Sequence, residues 1–114
     1  MTEVQYPMEN SSLEKCPVLF ALEIVGQKWK LPILWYLYES SPIRYGELKR
    51  KLPGITNVML TKSLRELERD ELIKREQFEE IPPRVEYSLA PRGEELIPAL
   101  NDLYKWGLDQ MSRK

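Results

Sequence analysis

The sequence contains no histidine and one cysteine, Cys16. Without histidine, Ser-His-Asp and Cys-His nucleophilic arrangements are unavailable, and a single thiol leaves too few soft ligands for the usual zinc sets. One cysteine also builds no internal disulfide, which fits a reducing compartment. The five glycines, Gly26, Gly46, Gly54, Gly93 and Gly107, stand apart from one another, so there is no glycine-rich phosphate loop. Unbroken apolar runs are short: Val18 to Leu22 and Pro32 to Leu37 fall well under the roughly 20 residues that cross a bilayer. Met1 to Asn10 carries Glu3 and Glu9 and has neither the basic nor the apolar stretch of a secretion signal. The adjacent carboxylates Glu79–Glu80 and Glu94–Glu95 sit in strongly polar surroundings and read as solvated surface rather than acid–base pairs. These absences predict a cytoplasmic protein that is not an enzyme, needs no metal or cofactor and enters no membrane.

What is present is enough for one core. The chain has 114 residues, 42% of them apolar and 31% charged, and it divides into an expected flexible arm over residues 1–15 and one domain over 16–112. Formal net charge is −1, but it is unevenly spread. Residues 1–43 carry a net −2, residues 44–75 a net +4 and residues 76–114 a net −3. Between Arg44 and Arg65 six basic side chains stand against one acid, Glu47. A basic segment of that density is what a phosphate backbone requires; the alternative is a solvated helix face.

The apolar spacing predicts helices first and a hairpin late. Cys16 caps and Pro17 starts a first helix with Leu19, Leu22 and Val25 on one face, ended by Gly26. Trp29, Ile33, Leu34 and Leu37 mark a second, stopped by Ser40, Ser41 and Pro42. Tyr45, Leu48 and Leu52 mark a short third helix with Lys49, Arg50 and Lys51 at its C-terminal end, where the helix dipole favours cations. In the fourth, capped by Thr56 or Asn57, the stripe Leu60, Leu64, Leu67 and Glu71/Leu72 leaves Val58, Thr61, Lys62, Arg65 and Arg69 pointing outward. No acid precedes Glu66 on that outer face. Short polar groups, a small apolar group and cations in one row suit a helix lying in a major groove.

Two strands follow, Ile73 to Glu80 and Val85 to Leu89, joined by Ile81-Pro82-Pro83-Arg84. The prolines stiffen the tip and hold Arg84 near the turn, ready for a minor groove or a flanking phosphate. A last helix, Pro91 to Met111, is apolar around most of its circumference, more than one small core can bury. The surface available to cover it is a second copy of the chain, so a homodimer is expected. The predicted fold is α+β and mainly helical: a winged helix-turn-helix with a two-stranded wing and a C-terminal dimerisation helix.

At this point particular residues become recognisable. Cys16-Pro17-Val18, Gly26-Gln27-Lys28-Trp29-Lys30, Arg44-Tyr45-Gly46-Glu47-Leu48, Leu52-Pro53-Gly54-Ile55, Met59-Leu60-Thr61, Leu64-Arg65-Glu66-Leu67-Glu68 and Pro82-Pro83-Arg84-Val85-Glu86-Tyr87-Ser88-Leu89 occur in order over residues 16–107. The chain resembles the HxlR-type branch of MarR-like bacterial transcription regulators. That resemblance implies a sequence-specific regulator with the fourth helix, about residues 57–70, in the major groove and the wing, about 73–89, on the flanking minor groove. Its recognition positions map onto Thr56, Asn57, Val58, Thr61, Lys62 and Arg65, with Arg44 and Arg84 on the backbone or minor groove. The implied partner is double-stranded DNA carrying a pseudo-palindromic operator. Val58 stands where relatives often carry a polar or basic residue, and Gly46 replaces a side-chain-bearing one.

Cys16 is a redox candidate. A helix N-terminus beside Lys15 favours the thiolate, the form that reacts with oxidants and electrophiles, and the resemblance implies that some relatives sense such signals through a cysteine before proline. The alternative is a small structural cap. Trp29, Trp35, Tyr36, Tyr104 and Trp106 can line a pocket for a small-molecule effector between the second and last helices, although aromatics at helical spacing are more often core. A protein-interaction module that keeps this scaffold without binding DNA is the rival reading, and the net charge of −1 is its support.

Overall fold

The structure, a computed structural model, describes residues 16–113; the expected arm over residues 1–15 lies outside the described residues. Five helices and three strands follow in the order α1 (Pro17–Val25), α2 (Lys30–Ser40), β1 (Ile43–Arg44), α3 (Tyr45–Lys51), α4 (Asn57–Arg69), β2 (Ile73–Phe78), β3 (Arg84–Leu89) and α5 (Pro91–Ser112). The fold is mainly helical with one antiparallel sheet of order β1-β3-β2. Its centre is built from Ile33, Leu34 and Leu37 of α2, Leu48 of α3, and Leu60 and Leu67 of α4, all fully enclosed, with Ile43 and Tyr87 closing it from the sheet side.

The two-stranded wing is present as β2 and β3, and one correction adds β1 beside it. Ile43 pairs with Tyr87 and Arg44 with Glu86, so the hairpin is anchored to the loop before α3. A two-residue strand is too short to show a period of two, and only its partner reveals it. A second correction concerns Arg84, which is the first residue of β3, opposite Phe78, rather than part of the turn. A third concerns the end of α4. The helix stops at Arg69; Glu71 takes a left-handed φ of 63°, and the Leu72 N–H reaches back to the Leu67 carbonyl at 2.9 Å. This C-terminal closure is usually given to glycine. Leu72 is buried as a loop residue, not as part of the helix stripe.

That turn seats α5. The Ala90 N–H donates to the Leu72 carbonyl at 3.0 Å, the Arg92 guanidinium donates to the Asp70 carbonyl at 2.7 Å, and Gly93 packs so closely that a Cβ there would collide with the Leu72 oxygen. Gly54, at φ 93°, turns the chain between α3 and α4.

The first helix departs most from expectation. Of Leu19, Leu22 and Val25 only Val25 is buried; Val18, Leu19, Phe20 and Leu22 are all about half exposed or more. The second half of α5 behaves alike, with Leu103, Tyr104, Trp106, Leu108 and Met111 exposed after Ile97 and Leu100 have entered the core. No helix among the described residues is long and apolar enough to cross a membrane.

Substituting Gly93 by Ala is expected to lower unfolding stability by roughly 1–3 kcal/mol, because the new methyl collides with the Leu72 carbonyl, a backbone group that has little room to move. Gly46→Ala, inside α3 with its Cβ in ordinary contact with the flexible Arg50 guanidinium at 3.7 Å, is expected to gain up to about 1 kcal/mol. Urea denaturation of both variants checks the pair.

Candidate nucleic-acid interface

The start of α4 is fixed locally. Thr56 adopts an extended conformation, its Oγ1 accepts from the Met59 N–H at 3.1 Å, and its carbonyl accepts the first helical bond from Leu60 at 2.9 Å. One donor left orphaned by helix geometry is thereby satisfied. Leu60, Ser63, Leu64 and Leu67 then turn inward and set the azimuth of the helix. Asn57, Val58, Thr61, Lys62, Arg65 and Glu66 consequently line one open hollow of about 540 Å³ on the opposite face. Five of the residues expected at this surface are in it, and the sixth, Thr56, caps the same helix. Val58 is 78% exposed, an apolar group with no intramolecular reason to be there.

Glu66 is the surprise in that hollow. It is the first acid of the outer face, and it sits beside Lys62 and Arg65. Its charge is matched from below by Lys30, whose side chain is 2% exposed and whose ammonium lies 2.8 Å from the Glu66 Oε1. The same ammonium donates to the Ile24 carbonyl at 3.1 Å, so a cation enclosed by the core has two oxygens to satisfy it. Lys62 approaches the other Glu66 oxygen at 4.0 Å from the exposed side. The Lys30 hydrogen bond holds the Glu66 carboxyl below the usual carboxylate range; partial desolvation opposes it, and Lys62 and Arg69 add to the lowering.

A second hollow, about 420 Å³, lies between α4 and the sheet and is lined by Tyr45, Thr61, Leu64, Arg65, Glu68, Arg75 and Tyr87. It brings in two groups the sequence reading did not place at the site. Arg75 on β2 is exposed and reaches Gln77 Oε1 at 3.5 Å. The Tyr45 hydroxyl touches Asn57 and Thr61. Alternation along β2 was the signal for Arg75, since it sits opposite Tyr87.

The remaining candidates lie apart from α4 in different ways. Arg44 is exposed at the start of α3, its backbone paired with Glu86. Arg84 is held over the Phe78 ring at 4.1 Å and between two carboxylates, Glu80 and Glu86, each at 3.1 Å. Its charge is already matched within the wing. Cys16 is exposed and its side chain makes no cap bond to α1; Lys15, its expected neighbour, lies outside the described residues. Of the five aromatics expected around an effector pocket, Trp35, Tyr36 and Tyr104 line a cleft of about 430 Å³ between α2 and α5, with Trp35 and Tyr104 stacked at 4.4 Å. Trp29 and Trp106 are not in its lining.

Comparison with known proteins agrees with this architecture. Residues 24–114 match the HxlR-like helix-turn-helix family. An HTH-type transcriptional regulator of Halalkalibacterium halodurans, BH0655, is 39% identical over 108 residues, 95% of this chain and 96% of the relative. The structure of the redox regulator HypR in its oxidized form superposes with a TM-score of 0.79 at 40% identity, covering 82% of this chain and 96% of that one. The reduced transcriptional regulator YodB of B. subtilis gives 0.69 at 30% identity, covering 81% and 90%.

The Lys30–Glu66 pair predicts unequal costs. Glu66→Ala leaves an enclosed ammonium without its carboxylate and is expected to cost about 3–5 kcal/mol, whereas Lys30→Met leaves a carboxylate that still reaches water and Lys62 and is expected to cost less than half as much. A carboxyl whose folded pKa is depressed contributes stability above its unfolded pKa and loses it as pH falls through the folded one. Glu66→Gln therefore flattens the fall in stability below the ordinary carboxylate range; urea denaturation from pH 7 down to pH 3 reads both effects.

Proposed function

The chain belongs to the HxlR-like helix-turn-helix family of transcriptional regulators, and from that premise we propose that it binds a pseudo-palindromic operator as a homodimer, with α4 of each copy in successive major grooves about 34 Å apart. The observation that carries this reading is the outer face of α4. Asn57, Val58, Thr61, Lys62 and Arg65 share one open surface, and the acid among them is matched by a cation from beneath. Lys62 and Arg65 supply phosphate or guanine contacts, Asn57 and Thr61 polar contacts to base edges, and Val58 a thymine methyl contact. Thr56 at the start of α4 and Arg44 at the start of α3 supply backbone contacts. Arg84 contributes only by leaving Glu80 or Glu86, so its share is smaller than that of Arg65 or Lys62.

The exposed apolar residues of α1 and of the second half of α5 support the dimer. Val18, Leu19 and Phe20 together with Leu103, Trp106 and Met111 form surface that a monomer leaves in water, and a second copy covers it. Cys16 lies at the N-terminus of that α1 surface and is exposed. With HypR, a redox regulator, and YodB among its relatives, it is our candidate for a thiol-reactive input. In that role two Cys16 thiols, one from each copy, lose two protons and two electrons to an oxidant and join as a disulfide.

Mobility shift of the purified protein on duplex DNA from its own promoter region tests the proposal. With about four phosphates neutralised per copy, log K is expected to fall with log salt at a slope of roughly −7. Arg65→Ala is expected to weaken binding about tenfold or more while sedimentation still reports a dimer; an unchanged affinity removes Arg65 from the contact set. Diamide is expected to alter binding of the native chain and not of Cys16→Ser. No binding at low salt would favour the interaction-module reading instead.

A further inference from the structure

A phenol has one proton to give. The Tyr45 oxygen, at the first residue of α3, lies 2.9 Å from Asn57 Oδ1, 3.3 Å from the Asn57 carbonyl and 3.3 Å from Thr61 Oγ1. An amide oxygen only accepts, so the Tyr45 proton goes to the Asn57 side chain, its shortest contact. The Thr61 hydroxyl is then the donor to the Tyr45 oxygen. The result is a directed relay, Thr61 O–H to Tyr45 O–H to Asn57 Oδ1, in which each bond fixes the next.

Both ends of that relay lie on the outer face of α4. We propose that Tyr45 sets the hydrogen-bond polarity of the recognition surface, presenting Asn57 outward as a donor through Nδ2 and Thr61 as an acceptor through its Oγ1 lone pairs. Tyr45 is thus a positioning residue for sequence discrimination. This rests on the reading of α4 as the DNA-contacting helix. A free asparagine rotates to pair with adenine as donor and acceptor together, and a free threonine hydroxyl serves either role. Held by Tyr45, Asn57 favours positions rich in acceptors, such as guanine N7 and O6 or thymine O4, and Thr61 favours a base amino group on cytosine or adenine.

Selection from a randomised duplex pool, followed by affinities for the selected duplex and its single-base variants, tests this with Tyr45→Phe. The ring and its packing stay; only the hydroxyl goes. Discrimination at the positions read by Asn57 and Thr61 is expected to fall about fivefold, while the salt slope and melting temperature stay close to those of the native chain. Thr61→Val, which keeps the shape and removes the hydroxyl, is expected to lose discrimination at its own position, and adding Tyr45→Phe to it to change nothing further there. Base preferences unaltered by Tyr45→Phe overturn the proposal. A native chain that binds duplexes without base preference also overturns it and leaves backbone binding standing; one that binds no duplex overturns the DNA reading as well.

Discussion

One enclosed cation holds the geometry of the recognition surface. Lys30 enters the core from the start of α2, bonds the last turn of α1 through the Ile24 carbonyl, and reaches Glu66 on α4. A charge taken from water is costly unless its partners are well placed, so three helices are constrained to the positions that supply those partners. The same contact settles the electrostatics outside. Unmatched, Glu66 would set a negative charge beside Lys62 and Arg65, on the face we propose for DNA. Matched from beneath, it leaves that face basic.

This arrangement explains how a chain of net charge −1 suits a polyanion. Several acids are spent in internal pairs, as Glu80 and Glu86 are on Arg84 and Glu66 is on Lys30. The basic side chains of α3 and α4 stay at the surface, with Lys49 half-buried and the exposed Lys51 over the Tyr36 ring. Thr61, Tyr45 and Asn57 add direction to that charge. In the proposed complex, charge brings a duplex to the surface, and fixed donors and acceptors discriminate along it.

Much of this was legible in the sequence, because long periodic segments report their own burial. The stripe Leu60, Leu64, Leu67 left Val58, Thr61, Lys62 and Arg65 on the outer face of α4, where they lie, and the cap at Thr56 was readable from residue type alone. Contacts across elements were less visible. Lys30 lies in register with Ile33, Leu34 and Leu37 on the buried face of α2, but a lysine is not read as core, and nothing local names Glu66 as its partner. Strand β1 exists only because β3 lies beside it, and the left-handed turn at Glu71 is made by a residue with no preference for it. Arg84 was read as a reaching side chain because its two carboxylates are neighbours in space and strand rather than on a helix face. The apolar face of α1 was legible as a face, but periodicity does not tell which surface buries it.

The central claim is that the outer face of α4, held by Lys30 and Glu66, is the surface that meets DNA. Backbone amide shifts of the labelled protein during titration with a duplex test it residue by residue. The account predicts that the largest changes fall on Arg44, Thr56 to Arg65 and Arg75, with α1 and the second half of α5 little affected. Changes confined to α1 and α5, or none at low salt, would contradict it.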